Sequence, residues 1–112
     1  MDLAQARTEF LAYVAVERGL SVNTLDAYTR DLEGYLLWLN GKKITLPNQV
    51  TRSDVEEYIG SLRDLGMAPA SVERHTAALR NFHKFMAVEQ ICESSPAEDL
   101  PTAARIQRLP DV

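Results

Sequence analysis

The stretch SVNTLDAYTRDLEGYLLWL, residues 21–39, decides the fold of this 112-residue chain. Leu25, Tyr28, Leu32, Leu36 and Leu39 recur at spacings of three and four, which on a helix makes one apolar stripe. Ser21 stands where an N-cap belongs, with Val22 and Thr24 in the first turn. The opposite face carries Asn23, Ala27, Arg30 and Gly34. Helix propensity would fill a solvated face with long Glu and Lys side chains. This face is small as well as polar, so its backbone is open to close approach.

Upstream, residues 2–18 read as a first helix with Leu3, Phe10 and Val14 on one face and Leu11 and Tyr13 beside it. Asp2 caps it, and Gly19 sits where a helix C-terminal glycine belongs. Only Leu20 then separates it from Ser21, so the first two helices form a hairpin or corner. Downstream, Asn40-Gly41-Lys42-Lys43 is a polar turn, and Ile44, Leu46 and Val50 tack the following loop onto the core. Thr51 caps a third helix running to about Leu65, with Asp54 completing a capping box. Its apolar face is Val55, Tyr58, Ile59 and Leu62, and its outer surface is acidic (Asp54, Glu56, Glu57, Asp64).

Gly66 ends that helix, and Pro69 opens a fourth that runs to about Gln90. Val72, Leu79, Phe82 and Met86 form its core face. Ala70, Ala77, Asn81 and Lys84 point outward, flanked by Arg74 and Arg80. Small residues ringed by basic and amide side chains thus occur twice. Period-two alternation never persists, so no strand is expected. The fold class is all-α: a compact bundle of four main helices in two hairpins, followed by a short C-terminal turn near residues 96–100 and a linker. Residues 1–100 are expected to be the domain and residues 101–112 the linker.

Composition bounds the function. No apolar run approaches the roughly 20 residues of a membrane span, and the N-terminus is not a signal peptide. Cys92 is the only cysteine, which excludes an internal disulfide and suits a reducing, cytoplasmic setting. Cys92 has no base partner and reads as a small apolar residue. His75 and His83 are eight residues apart and read as packing histidines, not metal ligands. Glu56 and Glu57 are neighbours on a helix and point apart, so they make no acid–base pair. Tyr13, Tyr28, Tyr35 and Tyr58 read as core aromatics. No catalytic set, metal site or cofactor is expected.

The net charge of −4 argues against a free-standing nucleic-acid binder, whose footprint is usually basic. The two small faces argue the other way. Arg and Lys neutralise phosphates, Asn and Arg hydrogen-bond base edges, and Ala and Gly let a helix sit deep in a groove. A helical protein-interaction module without DNA contact is the alternative on residue pattern alone.

The stretch VERGLSVNTLDAYTRDLEGYLLWL resembles the start of the N-terminal, core-binding (SAM-like) domain of tyrosine recombinases, Xer-like and phage-type integrases among them. The matching positions are Glu17, Ser21, Thr24, Tyr28, Asp31 and Leu32. GMAPASVERHTAALRNFHKFM resembles that family's fourth helix at Gly66, Pro69, Ser71, Arg74, Leu79, Arg80, Phe82 and Phe85, and RLPDV resembles the linker to its catalytic domain. Two departures stand out. Ser95-Pro96 replaces a frequent Asn-Pro, and Ala68 replaces a capping Ser or Thr.

The resemblance implies a DNA-binding domain of a site-specific recombinase acting in DNA integration or recombination, whether by resolving chromosome dimers, integrating phage DNA or moving another element. It implies that the second and fourth helices clamp double-stranded DNA and that full-length protomers assemble on it as a tetramer. The acidic third helix then faces away from DNA, towards another protomer. The catalytic pocket and nucleophilic tyrosine would lie in a second domain, so this part is not itself an enzyme. Candidate DNA-binding residues are Asn23, Thr24, Ala27 and Arg30 from the second helix, with Arg74, Ala77, Arg80, Asn81 and Lys84 from the fourth. Within that set the basic residues are expected to hold phosphates, and Asn23 and Asn81 to read bases.

Overall fold

A computed structural model describes residues 1–98 of the chain; the expected linker lies outside the described residues. Four helices follow in order: α1 (Leu3–Glu17), α2 (Val22–Gly41), α3 (Arg52–Asp64) and α4 (Pro69–Val88). No strand occurs among the described residues. The all-α, SAM-like architecture expected from the sequence is the one observed.

Local chemistry sets the helix starts. Asp2 accepts from the Gln5 backbone N–H while the Gln5 side chain accepts from Asp2, a reciprocal capping box. Ser21 Oγ accepts from the Thr24 N–H. Thr51 and Asp54 repeat the reciprocal arrangement on α3. α4 has no side-chain cap, because its N-cap is Ala68.

The stops are equally local. Gly19 and Gly66 have φ of +57° and +84°, the left-handed region that glycine enters without a Cβ clash. α4 stops two residues before Gln90, because Gln90 takes φ +60° and turns the chain back. The Ile91 and Cys92 N–H groups then donate to the Met86 carbonyl.

The core sits where all four helices meet. Phe10, Leu32, Tyr35, Leu39, Val55, Leu79, Phe82 and Met86 are essentially inaccessible to solvent. Each large apolar side chain among them contributes about 1.5–3 kcal/mol by leaving water. On α2 the buried centre is Leu32, Tyr35 and Leu39, while Leu25, Tyr28 and Leu36 are half-buried at its margin. Aromatic rings fill two seams. Phe10 meets Phe82 and Phe85 at 5.6 Å between α1 and α4, and Tyr58 of α3 meets Tyr35 at 5.0 Å and Trp38 at 5.3 Å. Tyr13 departs from the expected core role. It stacks on Phe85 at 5.2 Å but stays exposed, because α1 turns it to the rim of that seam.

The loop between α2 and α3 is held down by Pro47 and Val50, with Ile44 half-buried. Leu46, expected to help, is exposed instead. It precedes a 3-10 turn (Pro47–Gln49) that points Pro47 inward in its place. The Gln49 side chain accepts from the Thr45 and Leu46 N–H groups, and Asn48 accepts from the Glu93 N–H, tying the loop to the chain beyond α4.

Candidate nucleic-acid interface

On α4, Arg74, Ala77, Asn81 and Lys84 follow one another at spacings of three and four and so share a ridge. On α2, Thr24, Ala27 and Asp31 do the same along one edge. The two helices are joined by side-chain bonds at this level. Arg74 donates from Nε and Nη2 to the two carboxylate oxygens of Asp31, at 2.9 and 3.0 Å. Asn81 donates to the Tyr28 hydroxyl at a weak 3.5 Å. Ala77 lies between Arg74 and Asn81 along the ridge. The edge of α2 and the ridge of α4 therefore adjoin.

Asp31 is the feature that the site expectations missed. It is a carboxylate with 4% of its side chain exposed, held by the bidentate guanidinium and by His75 Nε2 at 3.2 Å. A buried charge is tolerated when paired and hydrogen-bonded in this way. The signal was available, since Asp31 falls one turn beyond Ala27 and sits in the Tyr-x-x-Asp-Leu pattern. What the sequence hid was the partner, 43 residues away.

Burial sets the protonation of the histidines. Desolvation lowers the His75 pKa, which Asp31 partly offsets and Arg74 reinforces. Burial thus favours the neutral form of His75; its Nε2 lies 3.2 Å from Asp31 Oδ1, and its buried Nδ1 has no hydrogen-bond partner among the described residues. Desolvation pulls His83 down to about 4. Its Nε2 shares a 2.8 Å hydrogen bond with the Tyr35 hydroxyl, whose own pKa burial raises. Both histidines pack as expected, although a carboxylate from α2 does reach His75. No group of His, Cys, Asp and Glu among the described residues is arranged to hold a metal ion. Cys92 is buried, and desolvation raises its thiol pKa.

The other nominated residues divide by accessibility. Asn23, Thr24, Arg30 and Lys84 are exposed, and Ala27, Ala77, Arg80 and Asn81 are half-buried. The Thr24 hydroxyl accepts from Ser21 Oγ and so belongs to the α2 cap. Asn23 and Arg30 lie further round α2, away from the Asp31 edge. Gly34 continues the small face towards α3, where a Cβ would meet the Tyr58 hydroxyl at 3.4 Å. Asn81 and Lys84 also border a shallow depression with Arg18, Tyr13, Phe85 and Val88, which adds Arg18 as a basic neighbour from the end of α1. A hollow of about 430 Å³ between the start of α1 and the end of α2 brings none of the nominated residues together.

The acidic surface of α3 is partly neutralised by its neighbours. Lys42 bonds Asp54 at 3.1 Å and Glu57 at 2.8 Å and lies 4.7 Å from the Trp38 ring centroid; Arg52 pairs with Glu56 at 3.8 Å. No helix among the described residues is long and apolar enough to cross a membrane.

Fold and surface together define an all-helical domain in which an α4 ridge of small, amide and basic side chains adjoins the Thr24–Ala27–Asp31 edge of α2. The chain belongs to the phage integrase N-terminal SAM-like domain family, whose model matches residues 8–90. It is 34% identical to tyrosine recombinase XerD of Oceanobacillus iheyensis over 111 residues, 98% of this chain and 37% of that protein. It is 36% identical to tyrosine recombinase XerD of Staphylococcus haemolyticus over 104 residues, 93% of this chain and 35% of the relative. The same name and shares apply to a relative in Listeria monocytogenes, 36% identical over 105 residues. The chain thus spans just over a third of the length of these curated relatives. No solved structure matches it.

Proposed function

We propose that this domain binds double-stranded DNA through α2 and α4, as one jaw of a clamp on the recombination site of a tyrosine recombinase. The observation that carries the reading is the join between the helices. Arg74–Asp31 and Asn81–Tyr28 set the Thr24–Ala27–Asp31 edge of α2 beside the α4 ridge, in a chain of the integrase N-terminal family. Asn23, Thr24, Ala27, Arg30, Arg74, Ala77, Arg80, Asn81 and Lys84 are the proposed contacts. Exposed Arg30 and Lys84 suit phosphates, and Ala27 and Ala77 suit close approach. The reading extends to a cytoplasmic parent whose second domain carries the catalytic residues and whose protomers assemble as a tetramer on DNA, α3 facing away from the duplex.

The acidic net charge implies weak binding by this domain alone, with few phosphate contacts. The test is a salt titration of binding to a mixed-sequence duplex, followed by anisotropy. The wild-type chain is expected to bind at low salt with a modest slope. Arg30→Ala combined with Lys84→Ala should weaken binding and flatten the slope by about 0.9 per phosphate contact removed. A helical protein-interaction module predicts no binding at low salt and no effect of the pair.

A further inference from the structure

We propose that Arg74 reads a base edge instead of holding a phosphate, with Asp31 as the residue that positions it. The inference rests on the DNA-binding reading and reverses the roles expected from residue type.

Three observations carry it. First, Arg74 is charge-balanced: a carboxylate with 4% side-chain exposure takes two of its N–H bonds. Association with the phosphate backbone draws on net cationic charge that releases counterions. A guanidinium already paired to a fixed anion has little of that to offer. Second, the bond is made through Nε and Nη2, which uses one edge of the planar group. The Nη1 edge makes no hydrogen bond among the described residues, and the side chain is 46% exposed. What remains is a fork of N–H donors whose direction is set by the protein. Such a fork matches the O6 and N7 acceptors of guanine in the major groove. Third, Asn81, the base reader expected from its amide, has its amide nitrogen 3.5 Å from the Tyr28 hydroxyl, so one of its N–H groups is directed at α2. His75 Nε2 lies 3.2 Å from Asp31 Oδ1, the oxygen that also accepts from Arg74 Nη2, so the carboxylate is held at a second point.

The experiment selects duplexes from a randomised pool with the 112-residue chain, then measures affinity and salt slope on the selected sequence. Wild type is expected to enrich guanine at one position of the site. Joint replacement of Asp31→Asn and Arg74→Gln removes the pair without changing net charge. It should lower the guanine preference roughly tenfold, or move it to adenine, and leave the slope unchanged. Arg74→Lys keeps a cation beside Asp31 and tests the same point should the double variant unfold. Lysine has no fixed fork, so the preference should fall while the slope holds. Retention of the guanine preference in either folded variant overturns the proposal. So does a slope that falls by a full phosphate contact in the double variant. A wild-type chain that binds duplex but selects no guanine also overturns it, leaving DNA binding intact. A wild-type chain that binds no duplex at low salt overturns both readings.

Discussion

The Tyr35 hydroxyl and His83 Nε2 lie 2.8 Å apart in the fully buried centre of the bundle, joining α2 to α4 across 48 residues of sequence. The bond places a titratable ring where its charged form has no solvent. Folded His83 takes up a proton only near pH 4, whereas an unfolded histidine does so near 6.5. Between those values the unfolded chain holds the extra proton, so stability falls as pH drops through that window. The full contribution is present above about pH 6.5, and roughly 3 kcal/mol of it is lost by pH 4. Urea unfolding across this range is expected to show the slope. Tyr35→Phe combined with His83→Phe should remove the His83 part, leaving that of His75 and the carboxylates.

Asp31 and Arg74 should respond unequally to truncation. Arg74→Ala leaves a carboxylate at 4% side-chain exposure with His75 alone, and is expected to cost about 3 kcal/mol. Asp31→Asn leaves a guanidinium already half in water, and should cost nearer ~1 kcal/mol. The Arg74→Ala chain should also show a raised His75 pKa by NMR, since Arg74 depresses it. Equal costs, or an unmoved His75, would contradict the asymmetric burial of the pair.

Two glycines should respond to alanine with opposite signs. Gly60 lies inside α3, and a Cβ added there would have open space for 4 Å around it, so Gly60→Ala should add up to about 1 kcal/mol by helix propensity. Gly66 at φ +84° should lose about 1 kcal/mol on the same change. Thermal unfolding of the two variants side by side checks both signs.

Ala68 offers a gain. Its backbone already has the extended ψ of 144° that an N-cap needs, and only a side-chain acceptor is missing. Ala68→Ser is expected to stabilise the fold by about 1 kcal/mol. A change below the error of urea denaturation would mean that α4 draws nothing from its first turn.

How much of this was legible follows from the range of each interaction. Caps at Asp2, Ser21 and Thr51, and stops at Gly19 and Gly66, act within a few residues, and the sequence displays both partners. The core faces of α3 and α4 were legible because Val55, Tyr58, Ile59, Leu62, Val72, Leu79, Phe82 and Met86 are all buried at helical period. Tyr13 and Leu46 were misplaced because rim and centre of an apolar stripe look alike until neighbours are known. Gln90 gave no signal as a helix stop, since a left-handed glutamine is rare. The candidate site was half legible. Residue type pointed to Arg74 and Asn81, but their hydrogen-bond partners Asp31 and Tyr28 lie on another helix.

The return of the chain at Gln90 has a mechanical consequence. α4 does not run on as a rod. It ends in a hook, with Ile91 and Cys92 bonded back to Met86, Cys92 and Ala97 buried, and Glu93 tied to Asn48. A pull on the chain after the hook is therefore shared between the last turn of α4 at Met86, the α2–α3 loop at Asn48 and the core under Cys92 and Ala97. The helix that carries Arg74 thus shares any load arriving from beyond residue 93 with the loop that leads into α3.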